Sequence, residues 1–120
     1  MKTVLVVEDN CSVRDVIRRI LESAGFAVLC ARDGQEALVV SDEHAERIDL
    51  VLTDVVMPVI GGPMLAELLK VSRCGARILY MSGWPSQVLE RNGLRPWNGS
   101  LIQKPFTVDE LVARVRSALA

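Results

Sequence analysis

The stretch Val51-Leu52-Thr53-Asp54-Val55-Val56-Met57-Pro58 decides the fold. An apolar run that ends on one aspartate and then breaks at a proline has the pattern of a buried central strand that carries a carboxylate to a sheet edge and stops there. An aspartate at a strand end also serves as a turn former or helix cap. Whether Asp54 is a reactive group therefore depends on what the rest of the chain brings to it.

Upstream, Val4-Leu5-Val6-Val7 is a continuous apolar run without polar alternation, as expected of a strand covered on both faces, and it ends on Glu8-Asp9. From Val13 the apolar residues Val16, Ile17, Ile20, Leu21 and Ala24 follow helical spacing, with Asn10 or Ser12 able to cap the start and Gly25 the stop. Phe26 to Ala31 reads as a second strand, and Asp33-Gly34-Gln35-Glu36 as a turn with capping-box spacing that opens a helix to about Ala45. Ile48 to Thr53 is the third strand, delivering Asp54.

Downstream, Gly61-Gly62-Pro63 opens a third helix through Met64, Leu65, Leu68 and Leu69 that closes around Cys74-Gly75. Arg77 to Met81 is a fourth strand ending on Ser82-Gly83, and Leu101-Ile102-Gln103 a short fifth strand running into Lys104-Pro105-Phe106. Between them, Trp84 to Gly99 reads as one or two helical turns around Val88 and Leu89 followed by a long loop, because Gly93, Pro96 and Gly99 break the periodicity. Thr107-Val108-Asp109-Glu110 is a capping box, and Leu111, Val112, Val115, Ala118 and Leu119 supply the apolar face of the last helix.

Strands alternating with helices predict an α/β fold, a doubly wound five-stranded parallel sheet with helices on both faces, because parallel neighbours need crossover connections. One domain spanning residues 1–120 is expected at this length, and a hydrophobic content of 50% suffices for a core. Fourteen basic against fifteen acidic residues leave no basic field for nucleic acid. The cysteines Cys11, Cys30 and Cys74 are odd in number and widely spaced, without the pairing of a zinc or thiol-exchange motif, which fits a reducing, cytoplasmic setting. The N-terminal apolar run is too short for a signal peptide, and none approaches the roughly 20 residues that span a bilayer.

In such sheets ligands bind outside the carboxyl ends of the strands, where the strand order reverses. The residues there are Glu8-Asp9, Arg32-Asp33, Asp54, Ser82 and Lys104, with the second strand expected at an edge away from the others. Carboxylates converging at one point repel unless a cation sits among them. Oxygen ligands without His or Cys favour a hard ion, and Mg²⁺ binds through a few carboxylates while keeping water for a phosphate. Glu8, Asp9 and Asp54 with one Mg²⁺ and Lys104 balance in charge. Such a pocket suits phosphoryl transfer: Mg²⁺ and Lys104 stabilise the transferring oxygens, Asp54 attacks in line, and Ser82 hydrogen-bonds the product acyl phosphate.

The set Val6-Val7-Glu8-Asp9, Asp54-Val55-Val56-Met57-Pro58 followed by Gly61-Gly62, Ser82-Gly83 and Lys104-Pro105-Phe106 resembles the receiver domain of two-component response regulators, along the whole chain. The resemblance implies a flavodoxin-like (βα)5 fold. It implies that Asp54 accepts phosphate from a histidine kinase or histidine phosphotransfer protein, and that Glu8, Asp9, Asp54 and the Val56 carbonyl bind Mg²⁺. It further implies that Ser82 and Lys104 sense the phosphoryl group and that Lys104-Pro105 is cis. Such a domain is a signalling module that catalyses its own phosphorylation and dephosphorylation, as a monomer or weak dimer, with no direct nucleic-acid or membrane contact. The second half, Ile78 to Pro85 and Leu101 to Leu111, is similar in wording to receivers appended to hybrid sensor histidine kinases. With no effector segment after Ala120, the output is expected from a partner on the face of the last helices or from a parent chain.

Two departures stand out. Receivers commonly carry an aromatic side chain three residues before the lysine, whose inward rotation reports phosphorylation; here that position is Leu101. Val56 and Trp84, two residues after Asp54 and Ser82, are bulky and apolar, and are expected to limit attack by water on the acyl phosphate. The remaining candidates are read as ordinary: His44 on a solvated helix face, Cys11 unactivated beside the acidic pair, and Arg91, Arg95 and Trp97 as packing and solvated charge ahead of partner contacts.

Three rivals are weighed. A haloacid-dehalogenase-type phosphohydrolase needs a second acid two residues after its nucleophile, which Asp54-Val55-Val56 lacks. A flavin-binding module of the same fold needs a phosphate loop where Glu8-Asp9 would repel it. A docking-only receiver ranks below the active one because the site residues are present.

Overall fold

The structure is a computed structural model and describes residues 1–44, 46–72, 75–93 and 100–120. Its elements alternate as β1 (Thr3–Val7), α1 (Cys11–Ser23), β2 (Ala27–Ala31), α2 (Gly34–His44), β3 (Leu50–Asp54), α3 (Gly62–Val71), β4 (Arg77–Ser82), α4 (Ser86–Arg91), β5 (Leu101–Gln103) and α5 (Val108–Leu119). The strands form one parallel sheet in the order β2-β1-β3-β4-β5, the flavodoxin-like arrangement, with β2 at an edge. The order reverses between β1 and β3, so the strand ends flanking that point carry Glu8 and Asp54 to the same rim.

The sheet is covered on both faces, which is why its central strands read as unbroken apolar runs. Val4, Val6, Leu50, Leu52, Leu79 and Met81 pack with Ile17 and Leu21 of α1 and Leu111 and Val115 of α5. The alternate residues Leu5, Val7 and Val51 pack with Ala37 of α2 and Leu65 and Leu69 of α3. A smaller cluster of Val55, Ala66, Tyr80 and Leu89 lies under α4 and includes the half-buried Leu101 at its margin. Truncating a fully buried leucine such as Leu21 or Leu65 would cost about 2–5 kcal/mol.

The helix boundaries follow local chemistry. Asn10 accepts from the Val13 N–H and starts α1 at Cys11, two residues ahead of the first apolar position, and Gly25 takes φ +97° just past its end. At α2, Asp33 accepts from the Glu36 N–H, while the Glu36 carboxylate reaches back to the Arg32 N–H rather than to Asp33. Both hydrogen bonds of the Thr107–Glu110 capping box form. Arg77 closes the other end of α5, donating to the carbonyls of Ala118 and Ala120 at 2.7 Å each.

Several boundaries differ from the sequence reading. β3 begins at Leu50, with Ile48 buried ahead of it, and β4 runs one residue further, so that Ser82 belongs to the strand. α3 ends at Val71 and is capped at Ser72, ahead of the expected close. The expected ends at Ala45 and Cys74, and the loop residues Arg95, Pro96, Trp97 and Gly99, lie outside the described residues.

Candidate functional site

Asp54 is the last residue of β3 and is 5% exposed, and Glu8, directly after β1, is 1% exposed. Two buried carboxylates at one rim need compensation, and the fold supplies it from the far end of the chain. Lys104, directly after β5, places its Nζ 2.7 Å from Asp54 Oδ1 and 2.5 Å from Glu8 Oε1. Asp9 is exposed beside them, and Glu8, Asp9 and Asp54 each offer a carboxylate oxygen within 4.8 Å of the others.

Backbone hydrogen bonds hold these strand ends. Glu8 N–H donates to Ala31, Val55 N–H to Met81, and Lys104 N–H to the Ser82 carbonyl at 2.7 Å. The Arg14 guanidinium donates to the Glu8 carbonyl at 2.9 Å. After Asp54 the chain turns at once: Gly62 N–H returns to the Val55 carbonyl at 2.8 Å. A Cβ on Gly62 would lie 2.4 Å from the Asp54 carbonyl oxygen and 3.1 Å from Val55 Cα, so only glycine fits. The loop also holds Val59 at φ +66°, an unusual conformation for a β-branched residue, and Lys104-Pro105 is cis.

The electrostatics are those of a crowded anionic pocket. Burial, then the hydrogen bond with Glu8, push the Asp54 carboxyl up to about 8, against the pull of Lys104. Burial also acts on Glu8, but hydrogen bonds to Asp54, Lys104 and Asp9 outweigh it and take Glu8 down to about 2. Burial opposes the Lys104 ammonium, and its bonds to Asp54 and Glu8 overcome that and hold it above the ordinary lysine range. Hydrogen bonds thus favour the ionised form of Glu8, while burial and the neighbouring Glu8 favour the protonated form of Asp54. A divalent cation replacing that proton relieves the repulsion, and a set of three carboxylates without His or Cys fits a hard ion such as Mg²⁺.

Above these groups opens a cavity of about 400 Å³ lined by Glu8, Asp9, Asp54, Val56, Ser82, Trp84 and Lys104 together with Asn10, Val13, Met81 and Gly83. The predicted site residues thus share one pocket, and Arg32-Asp33, after edge strand β2, does not enter it. Ser82 is 5% exposed, and its Oγ accepts from the Trp84 N–H at 3.0 Å, which leaves the hydroxyl proton free to donate. Val56 and Trp84 are 45% and 43% exposed at the rim. Leu101 lies opposite Tyr80 in the sheet and packs beside it. His44 is half-buried in the last turn of α2, and Cys11 is exposed at the first turn of α1.

Two contributors escaped the sequence reading. Arg14 sits one helical turn past the cap, where only the α1–β1 packing shows that it faces Glu8. Gln103 precedes Lys104 and donates through Nε2 to the Trp84 carbonyl at 2.9 Å. Its one signal was adjacency to the lysine.

The comparisons with known proteins agree with this arrangement. The family model described as the response regulator receiver domain matches residues 4–116. The sensor kinase CckA of Brucella abortus is 34% identical over 117 residues, which cover 98% of this chain and 12% of that protein. The response regulator MprA of Mycolicibacterium vanbaalenii is 36% identical over 118 residues, covering 97% of this chain and 49% of that protein. The chain therefore spans half or less of the length of these relatives. Among solved structures, the receiver domain of the hybrid histidine kinase CckA superposes with a TM-score of 0.80 at 33% identity, covering 98% of this chain and 99% of that one. The chemotaxis protein CheY4 of Vibrio cholerae superposes with a TM-score of 0.82 at 28% identity, covering 99% of each chain.

Proposed function

The chain belongs to the response regulator receiver domain family of two-component signalling, and on that premise we propose that residues 1–120 form one Mg²⁺-dependent phosphoacceptor unit with Asp54 as the accepting group. The observation that carries this reading is the Lys104 ammonium 2.7 Å from Asp54 Oδ1, beside a cluster of three carboxylates on a rim cavity.

Glu8, Asp9 and Asp54, with the Val56 carbonyl, would hold the ion. Bound Mg²⁺ supplies positive charge to the phosphoryl oxygens in transfer. Asp54 must first be deprotonated. A carboxylate oxygen of Asp54 then forms a bond to phosphorus as the P–N bond of a partner's phosphohistidine breaks, and the released imidazole nitrogen takes up a proton. Lys104 pairs with negative charge on the transferred group, and the free Ser82 proton donates to a phosphoryl oxygen. The acyl phosphate is later cleaved by water, and the apolar rim of Val56 and Trp84 slows that step. The donor is a histidine kinase or histidine phosphotransfer protein, and the phosphorylated state switches a protein-interaction surface formed by the last helices.

Incubation with Mg²⁺ and a small phosphodonor, followed by intact-mass measurement, tests the reading. One labile phosphate that is lost in Asp54→Asn supports it. Absence of an adduct with every donor would leave a docking receiver, and turnover of phosphate esters without an adduct would indicate a phosphohydrolase.

A further inference from the structure

Trp84 is held at both of its backbone groups. Its N–H donates to Ser82 Oγ at 3.0 Å, and its carbonyl accepts from Gln103 Nε2 at 2.9 Å. Pro85 follows at φ −58°, which restricts Trp84 to extended conformations. The residue bearing the indole is thereby fixed between the end of β4 and the end of β5, at the rim of the Asp54 cavity. Gly83, beside it, has open space where a Cβ would lie.

We propose that Gln103 is a positioning residue that holds Trp84 over the Asp54 pocket and so lengthens the life of the phosphoryl group. The chain of bonds runs from the Gln103 amide to the Trp84 carbonyl, and from the Trp84 N–H to Ser82 Oγ. Because Ser82 Oγ already accepts a hydrogen bond from the Trp84 N–H, its own O–H is left to donate toward the phosphoryl oxygens. Gln103 therefore acts through one residue: it keeps the indole at the pocket mouth. This route connects β5 to the site by a polar side chain at position 103, in a protein whose position 101 is an aliphatic residue packed beside Tyr80.

The inference rests on the phosphoacceptor reading of Asp54, and the experiment separates the two. In the full chain carrying Trp97→Phe, Trp84 is the remaining tryptophan. Two readouts are taken for the parent, Gln103→Ala, Gln103→Glu, Trp84→Ala and the Gln103→Ala/Trp84→Ala double variant. One is loss of the phosphate adduct by intact mass after the small phosphodonor is removed; the other, on variants that keep Trp84, is acrylamide quenching of its fluorescence without phosphate. The expectation is that Gln103→Ala and Gln103→Glu shorten the adduct lifetime at least threefold and raise quenching, while the rate of adduct formation changes less than twofold. Gln103→Ala should shorten the lifetime no further in the Trp84→Ala background. An unchanged lifetime in both Gln103 variants overturns the proposal, as does an equal shortening with and without the indole. A parent that forms no adduct fails the phosphoacceptor reading instead, and the quenching comparison, which needs no phosphate, still decides whether Gln103 holds Trp84.

Discussion

One ammonium bridges the two buried carboxylates of the site: Lys104 Nζ lies 2.7 Å from Asp54 Oδ1 and 2.5 Å from Glu8 Oε1. Its partners come from opposite sides of the topological switch point, so this contact ties the last strand to the first and third.

Removing the ammonium leaves those carboxylates facing each other in a site closed to most solvent. Lys104→Ala should destabilise the metal-free protein at pH 8 by about 3 kcal/mol, the usual cost of breaking a buried pair. Saturating Mg²⁺ should recover part of the loss. Urea unfolding with and without the ion measures both, and an unchanged midpoint would show that the pair contributes nothing.

Stability should depend on pH through the same pair. Asp54 is held at about 8 in the fold, above its unfolded value of about 3.9, so its contribution is complete below pH 4 and is lost as pH rises through 8. Glu8, held at about 2, contributes above its unfolded value of about 4.3 and loses that contribution as pH falls through 2. Metal-free protein should therefore be most stable near pH 5 and lose on the order of 2–4 kcal/mol by pH 9. Asp54→Asn should flatten the alkaline side; the same slope in both proteins, measured in chelator, would refute the assignment.

Metal binding must displace the Asp54 proton. Mg²⁺ affinity should rise up to about tenfold per pH unit below pH 8 and level off above it, with proton release on binding. Calorimetry in buffers of different ionisation enthalpy reads the released proton directly. Asp54→Asn should bind more weakly and with less dependence on pH.

The turn behind Asp54 tolerates no side chain. Gly62→Ala would press a methyl group against backbone atoms of Asp54 and Val55 and should destabilise by about 1–3 kcal/mol. Phosphate acceptance should fall with it, because Asp54 itself is displaced. Gly83→Ala, with open space around its Cβ, should stay within about 0.5 kcal/mol of the parent by thermal unfolding.

Val59 is 83% exposed and sits at φ +66°, so it packs little against the fold and occupies a conformation that L residues disfavour by about 1–2 kcal/mol. Val59→Asn, which tolerates that region, should raise stability by about 0.5–1 kcal/mol. A loss of stability would mean that the valine makes contacts that outweigh its strain.

Much of this protein was legible in one dimension, for a physical reason. A sheet covered on both faces requires continuous apolar strands, so Val4 to Val7 and Val51 to Thr53 announce themselves, and the residue that ends each run must lie at the rim. Helix starts depend on neighbours three residues apart, so Asn10 and the Thr107–Glu110 box could be read locally. Glu8, Asp9, Asp54, Ser82 and Lys104 were therefore nameable as strand-end groups.

What the sequence alone determined is the order of strands and helices and the chemical character of each strand end. Only the tertiary structure decided how those ends meet. The Lys104 ammonium lies between Glu8 and Asp54, burial beside Glu8 pushes the Asp54 carboxyl up while hydrogen bonds hold Glu8 down, and the Gln103 amide reaches the Trp84 carbonyl. These contacts join residues far apart in the chain, and their strength comes from burial and distance, which no local pattern of residues encodes.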